Sequence, residues 1–257
     1  MKIAIVKLSA LGDIVHAMVV LQFIKNNNQS IEIDWIVDEA YAELLEGHPD
    51  INNVYKVNIK QAKKKKSLNM FLGELKKLSK LDTYDLVIDM QGLIKSALIT
   101  RVVPSKITLG FDKSSVREGF ASIFYNQTFK IPYDQNIVKR NLAIIQFALK
   151  IPHIKEELQH KAPFLFANRF FINTLADKAR KNILIIPGAS HKSKCYSVKK
   201  FAKIANILDA NIIAVWGNKN EKTLAEKIKA LSPKAVSYTH LRAHETVLDL
   251  VCRLLLE

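Results

Sequence analysis

Asp13 lies in the stretch Lys7-Leu-Ser-Ala-Leu-Gly-Asp-Ile-Val-His16, after an apolar strand pattern at Ile3–Val6 and before an apolar-periodic segment reaching about Asn26. A loop leading from the carboxyl end of a strand into a helix is where α/β domains bind their ligands. A carboxylate placed there can exchange a proton with a bound hydroxyl, or it can cap the helix, an arrangement worth about 1 kcal/mol. The two uses compete, because a helix N-terminus stabilises the ionised carboxylate and lowers its basicity. With Gly12 as its one glycine, the loop is not the Gly-x-Gly-x-x-Gly dinucleotide fingerprint. Lys7 and Ser9 bring a cation and a hydroxyl to the same crevice. Asp89, Gln91, Gly92 and Lys95 close another strand pattern at that edge, with Gly92 allowing close backbone approach.

A second set of polar residues is Pro187-Gly-Ala-Ser-His-Lys-Ser-Lys194, set between a strand and a helix. Gly188 permits a tight turn, Ser190 offers a hydroxyl and Lys194 a positive charge. A loop of this kind at a helix N-terminus suits a phosphate, whose developing charge it can neutralise. A third feature is the lysine run Lys60, Lys63, Lys64, Lys65 and Lys66, which reads either as a solvated face or as a contact for anionic groups.

These residues need elements to hold them. Strand patterns recur at Ile3–Val6, Ile31–Val37, Val54–Val57, Leu86–Met90 and Ile107–Leu109. Leu68, Phe71, Leu72, Leu75 and Leu78 repeat at helical spacing and predict one amphipathic helix. Alternating strands and helices imply a parallel sheet with helices on both faces. Proline and polar residues at Ile131–Pro132 and Ile151–Pro163 interrupt the pattern and flank a helix over Asn136–Lys150. A second α/β pattern follows, with strands at Asn182–Ile186 and Asn211–Val215 and helices at Val198–Leu208 and Glu221–Leu231. The expected organisation is two Rossmann-like domains, residues 1–160 and 161–236.

The 257 residues are enough for a substantial core. A formal net charge of +15, mostly from lysine, favours anionic partners. No apolar run reaches the roughly 20 residues that span a bilayer, and the first strand begins without a signal-peptide pattern, so a cytoplasmic location is expected. Cys195 and Cys252 supply neither a disulfide framework nor metal-ligand spacing. Residues 237–257 differ from the rest: they hold two Arg but no Lys, Ile or Asn, and resemble a translated sequencing adapter. His240 and His244, spaced as a helical metal pair, fall in this tail and are set aside with it.

Lys7–Asp13, Tyr84-Asp-Leu-Val-Ile-Asp-Met-Gln-Gly-Leu-Ile-Lys-Ser96 and Arg117-Glu-Gly-Phe-Ala-Ser-Ile-Phe-Tyr-Asn126, taken together and in order, resemble the lipopolysaccharide heptosyltransferase I group of glycosyltransferase family 9. The resemblance implies a GT-B fold, two Rossmann-like domains facing a cleft, the second incomplete in this chain. It implies inverting transfer of L-glycero-D-manno-heptose from ADP-heptose to the first Kdo of Kdo2-lipid A. The work would be done at the inner face of the inner membrane, with no metal or other cofactor. By the same resemblance Asp13 is the base, and Lys7, Ser9, Gly12, Lys63, Lys64, Gln91 and Arg117 bind the acceptor. Gly188, Ser190 and Lys194 hold the donor phosphates, and Glu221, after Trp216-Gly217, holds the ribose. The family carries Thr-Thr where this chain has Ala189-Ser190, and Lys-His-Trp-Pro where it has Lys194-Cys-Tyr-Ser197. The family's Asp-Thr-Gly loop is expected beyond residue 236, where the unusual tail stands, so slow turnover by the chain as written is expected.

Two other readings compete. One is a related family 9 enzyme adding a later core heptose. The other is a basic, non-catalytic protein binding nucleic acid or anionic lipid, but interleaved aromatics and arginines would mark a nucleic-acid binder, and only seven Arg are present.

Overall fold

A computed structural model describes residues 1–151, 161–166, 177, 179–189 and 192–238. The chain divides into two compact units at about residue 168. In the first, strands β1 (Lys2–Val6), β2 (Glu32–Asp38), β3 (Asn53–Val57), β4 (Tyr84–Asp89), β5 (Ser105–Phe111) and β6 (Gln127–Phe129) form one sheet. Its order is β3-β2-β1-β4-β5-β6 and every pairing is parallel. Strand order therefore reverses between β1 and β4, and the crevice at their carboxyl ends is the topological switch point.

The helices α1 (Leu11–Met18), α2 (Val20–Asn27), α3 (Ile59–Lys64), α4 (Leu68–Leu78), α5 (Ile94–Val102) and α6 (Ile137–Leu149) connect the strands or follow them. The apolar segment expected to be one helix up to Asn26 is two, meeting at Val19. β1 and β2 read as near-continuous apolar runs because they are covered on both faces; Ile3, Ala4, Ile5, Val6, Ile33, Trp35 and Ile36 have no exposed surface. The amphipathic α4 is only partly as expected. Phe71, Leu75 and Leu78 pack on the core with Ala4, Val6 and Val87, whereas Leu68 and Leu72 face solvent.

In the second unit β7 (Asn182–Ile185), β8 (Asn211–Val215) and β9 (Ala235–Tyr238) form a parallel sheet in that order, with α7 (Val198–Ile207) and α8 (Lys219–Leu231). β9 carries Ser237 and Tyr238 in register with Ala214 and Val215, so the compositional boundary after Val236 falls inside a strand. Main-chain pairing places little demand on side-chain identity, which lets the ladder run across it. The remainder of the tail lies outside the described residues. No helix among the described residues is long and apolar enough to cross a membrane.

Residues 161–166 are tied to the first unit. The Ala162 N–H donates to Gln22 Oε1 (2.9 Å), and His48 lies 3.1 Å from the Phe164 carbonyl through Nε2, its ring edge-on to Phe166. The Asp50 N–H donates to His48 Nδ1 (3.1 Å), so Nε2 carries the proton. Burial holds the imidazole below the usual histidine range, opposed by Asp50 and the Phe164 carbonyl. The unfolded chain therefore takes up the proton first, and the stability gained from neutral His48 is complete above about pH 6.5 and lost as pH falls below it. Hydrogen-exchange protection of residues 161–166 is expected to drop on acidification through that range, and His48→Gln is expected to remove the step. A pH-independent protection factor would contradict this anchoring.

Candidate functional site

The first-unit crevice is built by two loops. After β1, residues 7–10 enter α1, and the Ser9–Ala10 peptide bond is cis. After β4, residues 90–93 enter α5. Gln91 joins them: its Oε1 accepts the Leu8 N–H (3.2 Å) and the Ser9 N–H (3.1 Å). Lys7 is buried and its Nζ donates to the Met90 carbonyl (2.9 Å). Burial pulls the Lys7 ammonium below the usual lysine range; nearby Asp13 and Asp89 pull the other way.

Asp89 anchors this arrangement. Its carboxylate has no exposed surface. Oδ1 accepts the Gln91 N–H (2.7 Å) and the Gly92 N–H (3.0 Å), and Oδ2 accepts the Tyr125 hydroxyl (2.7 Å). Burial pushes the Asp89 carboxyl up, while the hydrogen bonds from the Gly92 N–H, the Tyr125 hydroxyl and the Gln91 N–H hold it down. Asp89 thus positions the loop and does not line the crevice. Gly92 is required twice over: its φ is +70°, and a Cβ there would stand 2.5 Å from Val116 Cγ1.

Asp13 is exposed in the first turn of α1, and its Oδ2 accepts the Ala10 N–H at 3.2 Å. The capping role weighed from sequence is therefore present, through one long hydrogen bond. Gly12 beside it has open space where a Cβ would be, and Ser9 is half-buried. Lys7, Ser9, Gly12, Asp13 and Gln91 come together at the switch point. Lys7 and Gln91 spend their polar atoms on the loops, which sequence reading did not anticipate.

Arg117 and Lys64 are exposed beyond the ends of β5 and β3. Four strand spacings separate those two strands, about 19 Å. Lys63 lies in α3, whose start is pinned by the Lys60 N–H donating to Asp38 Oδ2 (2.7 Å). Glu118, next to Arg117, accepts the Ile94 N–H (2.8 Å) at the start of α5.

In the second unit, Glu221 Oε2 accepts the Gly217 N–H (2.8 Å), and Asn218 caps α8 through the Asn220 and Glu221 N–H groups (3.0 Å each). Gly188 does not need a positive φ for a turn; its role is close approach, since a Cβ would fall 2.3 Å from Glu221 Cγ. Lys194 is exposed at the end of the 3-10 turn Lys192–Lys194. Ser190 lies outside the described residues.

Sequence reading missed Tyr125 and Arg140. The signal for Tyr125 is Gly110, where a Cβ would stand 2.2 Å from the Tyr125 ring. Arg140, buried on α6, donates to the Ser115 and Tyr133 carbonyls and lies against the Phe111 and Tyr133 rings. Burial lowers its guanidinium from the usual range; nothing in the helical pattern marks it.

The sequence profile of Glycosyltransferase family 9 (heptosyltransferase) matches residues 73–255. The chain belongs to glycosyltransferase family 9. The family 9 match passes through the compositional break near residue 237. Lipopolysaccharide heptosyltransferase 1 of Campylobacter coli is 37% identical over 238 residues, covering 89% of this chain and 68% of its own length. The enzyme of that name from Escherichia coli K12 is 26% identical over 89% of this chain and 72% of its own. Among solved structures, E. coli heptosyltransferase WaaC with ADP-2-deoxy-2-fluoro heptose gives a TM-score of 0.79 at 23% identity, covering 97% of this chain and 80% of that one. The fold is that of a GT-B glycosyltransferase.

Two outcomes follow from the geometry. Asp89→Leu strands two N–H groups and a phenol, at about 1–3 kcal/mol each, so denaturant unfolding is expected to show a loss of several kcal/mol, with Asp89→Asn much milder. Equal losses would contradict the carboxylate's bridging role. Gly188→Ala sets a Cβ against Glu221 Cγ and is expected to lower the denaturant midpoint of the second unit; an unchanged midpoint would show that Glu221 moves aside without cost.

Proposed function

We propose that this family 9 enzyme transfers heptose from ADP-heptose to the first Kdo of Kdo2-lipid A with inversion. The observation that carries the reading is an exposed carboxylate, Asp13, at the switch-point crevice, one oxygen lightly held by Ala10 N–H and the other free of any hydrogen bond within the described residues. In the proposed step the Kdo hydroxyl oxygen attacks the anomeric carbon as its proton passes to Asp13. The bond to the ADP oxygen breaks on the opposite face, and its electron pair leaves with ADP. Lys194, with Ser190, neutralises charge developing on the diphosphate, and Glu221 holds the ribose.

Lys7 keeps the β1 loop fixed against Met90, and Ser9, Gly12 and Gln91 shape the acceptor side. Lys63, Lys64 and Arg117 offer several cations to a multiply charged acceptor. Identity of 37% to a type 1 heptosyltransferase, against 22% to a type 3 enzyme of E. coli, favours the first heptose over a later one. An acceptor of this class places the enzyme, cytoplasmic and peripheral, at the inner-membrane face.

Removal of a positioned general base costs about 10²–10⁴ in rate. Asp13→Asn is expected to lower single-turnover heptosyl transfer by that factor, with ADP-heptose affinity and unfolding midpoint little changed. Transfer equal to that of the unaltered chain would remove Asp13 from the chemistry.

A further inference from the structure

Arg140 stands near the start of α6 with 6% of its surface exposed. A charge taken out of water is costly unless an opposite charge meets it, yet no carboxylate pairs with this one among the described residues. Its contacts are neutral. Nη1 donates to the Tyr133 carbonyl (2.7 Å) and Nη2 to the Ser115 carbonyl. The guanidinium carbon lies 4.9 Å from the Phe111 ring centroid and 5.1 Å from that of Tyr133. Nε is buried and has no hydrogen-bond partner among the described residues. For stability alone, an apolar side chain of similar volume serves as well as a buried charge or better. The charge also reaches the crevice, where it adds to the burial that lowers the Lys7 ammonium.

The two carbonyls belong to the loops that follow β5 and β6. Ser115 has no exposed surface and is tied through each of its polar groups. Its N–H donates to the Asp112 carbonyl (2.9 Å), its Oγ accepts the Ile131 N–H (2.9 Å), and its carbonyl takes Arg140. Just past this point the chain meets the β4 loop and α5. Val116 stands where a Cβ on Gly92 would need room, and Glu118 accepts the Ile94 N–H. Between them is Arg117, exposed. A cation on a loop recognises a ligand only if the backbone beneath it is fixed. The fixture here is a planar guanidinium fork that reaches two carbonyls at once, which the point charge of a lysine cannot reproduce.

We infer that Arg140 is a positioning residue for the transfer: it clamps the Ser115 and Tyr133 carbonyls, fixes residues 112–118, and so sets Arg117 for an anionic group of the acceptor. Arg140 does not itself touch the acceptor. The inference rests on the proposed acceptor and adds to it the residue that makes Arg117 a site and not merely a surface charge.

The test is calorimetric titration of the 257-residue chain with deacylated Kdo2-lipid A and, separately, with ADP. Arg140→Lys keeps the charge and loses the fork. It is expected to weaken acceptor binding at least about tenfold and to leave ADP binding unchanged. In an Arg117→Ala background it is expected to add almost nothing, because the side chain it serves is gone. Amide hydrogen exchange of residues 112–118, measured without ligand, is expected to quicken in Arg140→Lys. Ser115→Ala leaves the guanidinium in place and removes the Oγ tie to Ile131; it is expected to weaken acceptor binding in the same direction. Should Arg140→Lys fail to fold, undiminished acceptor affinity in Ser115→Ala overturns the inference. Full acceptor affinity in Arg140→Lys, equal losses for acceptor and ADP, or unchanged exchange over 112–118 overturns it and leaves the transferase reading standing. Losses that multiply with those of Arg117→Ala also overturn it. Failure of the unaltered chain to transfer heptose, with acceptor binding and its dependence on Arg140 as expected, overturns the transferase reading alone. No acceptor binding by the unaltered chain overturns both.

Discussion

The Asp89 carboxylate is the interaction on which the first-unit site depends. It ends β4 at the switch point, has no contact with water, and gathers the Gln91 and Gly92 N–H groups and the Tyr125 phenol. A buried carboxylate is tolerated only when its oxygens are filled, and here the filling also sets the path of the β4 loop. That path presents the Gln91 amide to the β1 loop and the Met90 carbonyl to Lys7. The loop that carries Asp13 is therefore held from below by a network that does not itself touch the crevice. Burial raises the Tyr125 hydroxyl above the usual phenol range, as does Asp89, so the phenol remains a donor to the carboxylate at neutral pH.

The second unit uses the same means on a smaller scale. Gly188 lets the loop after β7 come against Glu221 on α8, and Glu221 is fixed from its other side by the Gly217 N–H. In both units a side chain proposed for chemistry stands at the carboxyl ends of parallel strands. In both, a glycine is required by close packing against a neighbouring side chain, Val116 for Gly92 and Glu221 for Gly188. Exposed lysines near the crevice need no such support, because a solvated ammonium keeps its hydration and can wait for an anionic ligand.

Much of this was legible in the sequence because the elements are strongly patterned. The strand at Asn211–Val215 has its expected bounds, and the other expected strands and helices in the described residues appear within about two residues of their ends, apart from the helix expected up to Asn26, which is two. The switch-point cluster was legible from the Lys7–Asp13 spacing and the Asp89–Gly92 run. The direction of the side chains was not. Alternation in a doubly covered strand does not say whether Lys7 points to solvent or to a carbonyl, and helical spacing alone placed Leu68 and Leu72 in a core that stops at Phe71 and Leu75. Tyr125 and Arg140 act across large sequence separations, joining β4 or β5 to later segments, and local patterns carry no trace of such pairings. β6, three residues long, is too short for alternation to register.

If Asp13 takes the proton of the attacking acceptor hydroxyl, the structure of the chain with a Kdo-containing acceptor and an unreactive ADP-heptose analogue will show it. The acceptor hydroxyl is expected within about 2.6–3.2 Å of an Asp13 oxygen and facing the anomeric carbon. An acceptor hydroxyl out of reach of Asp13, with that carboxylate still turned to the Ala10 N–H alone, would contradict it.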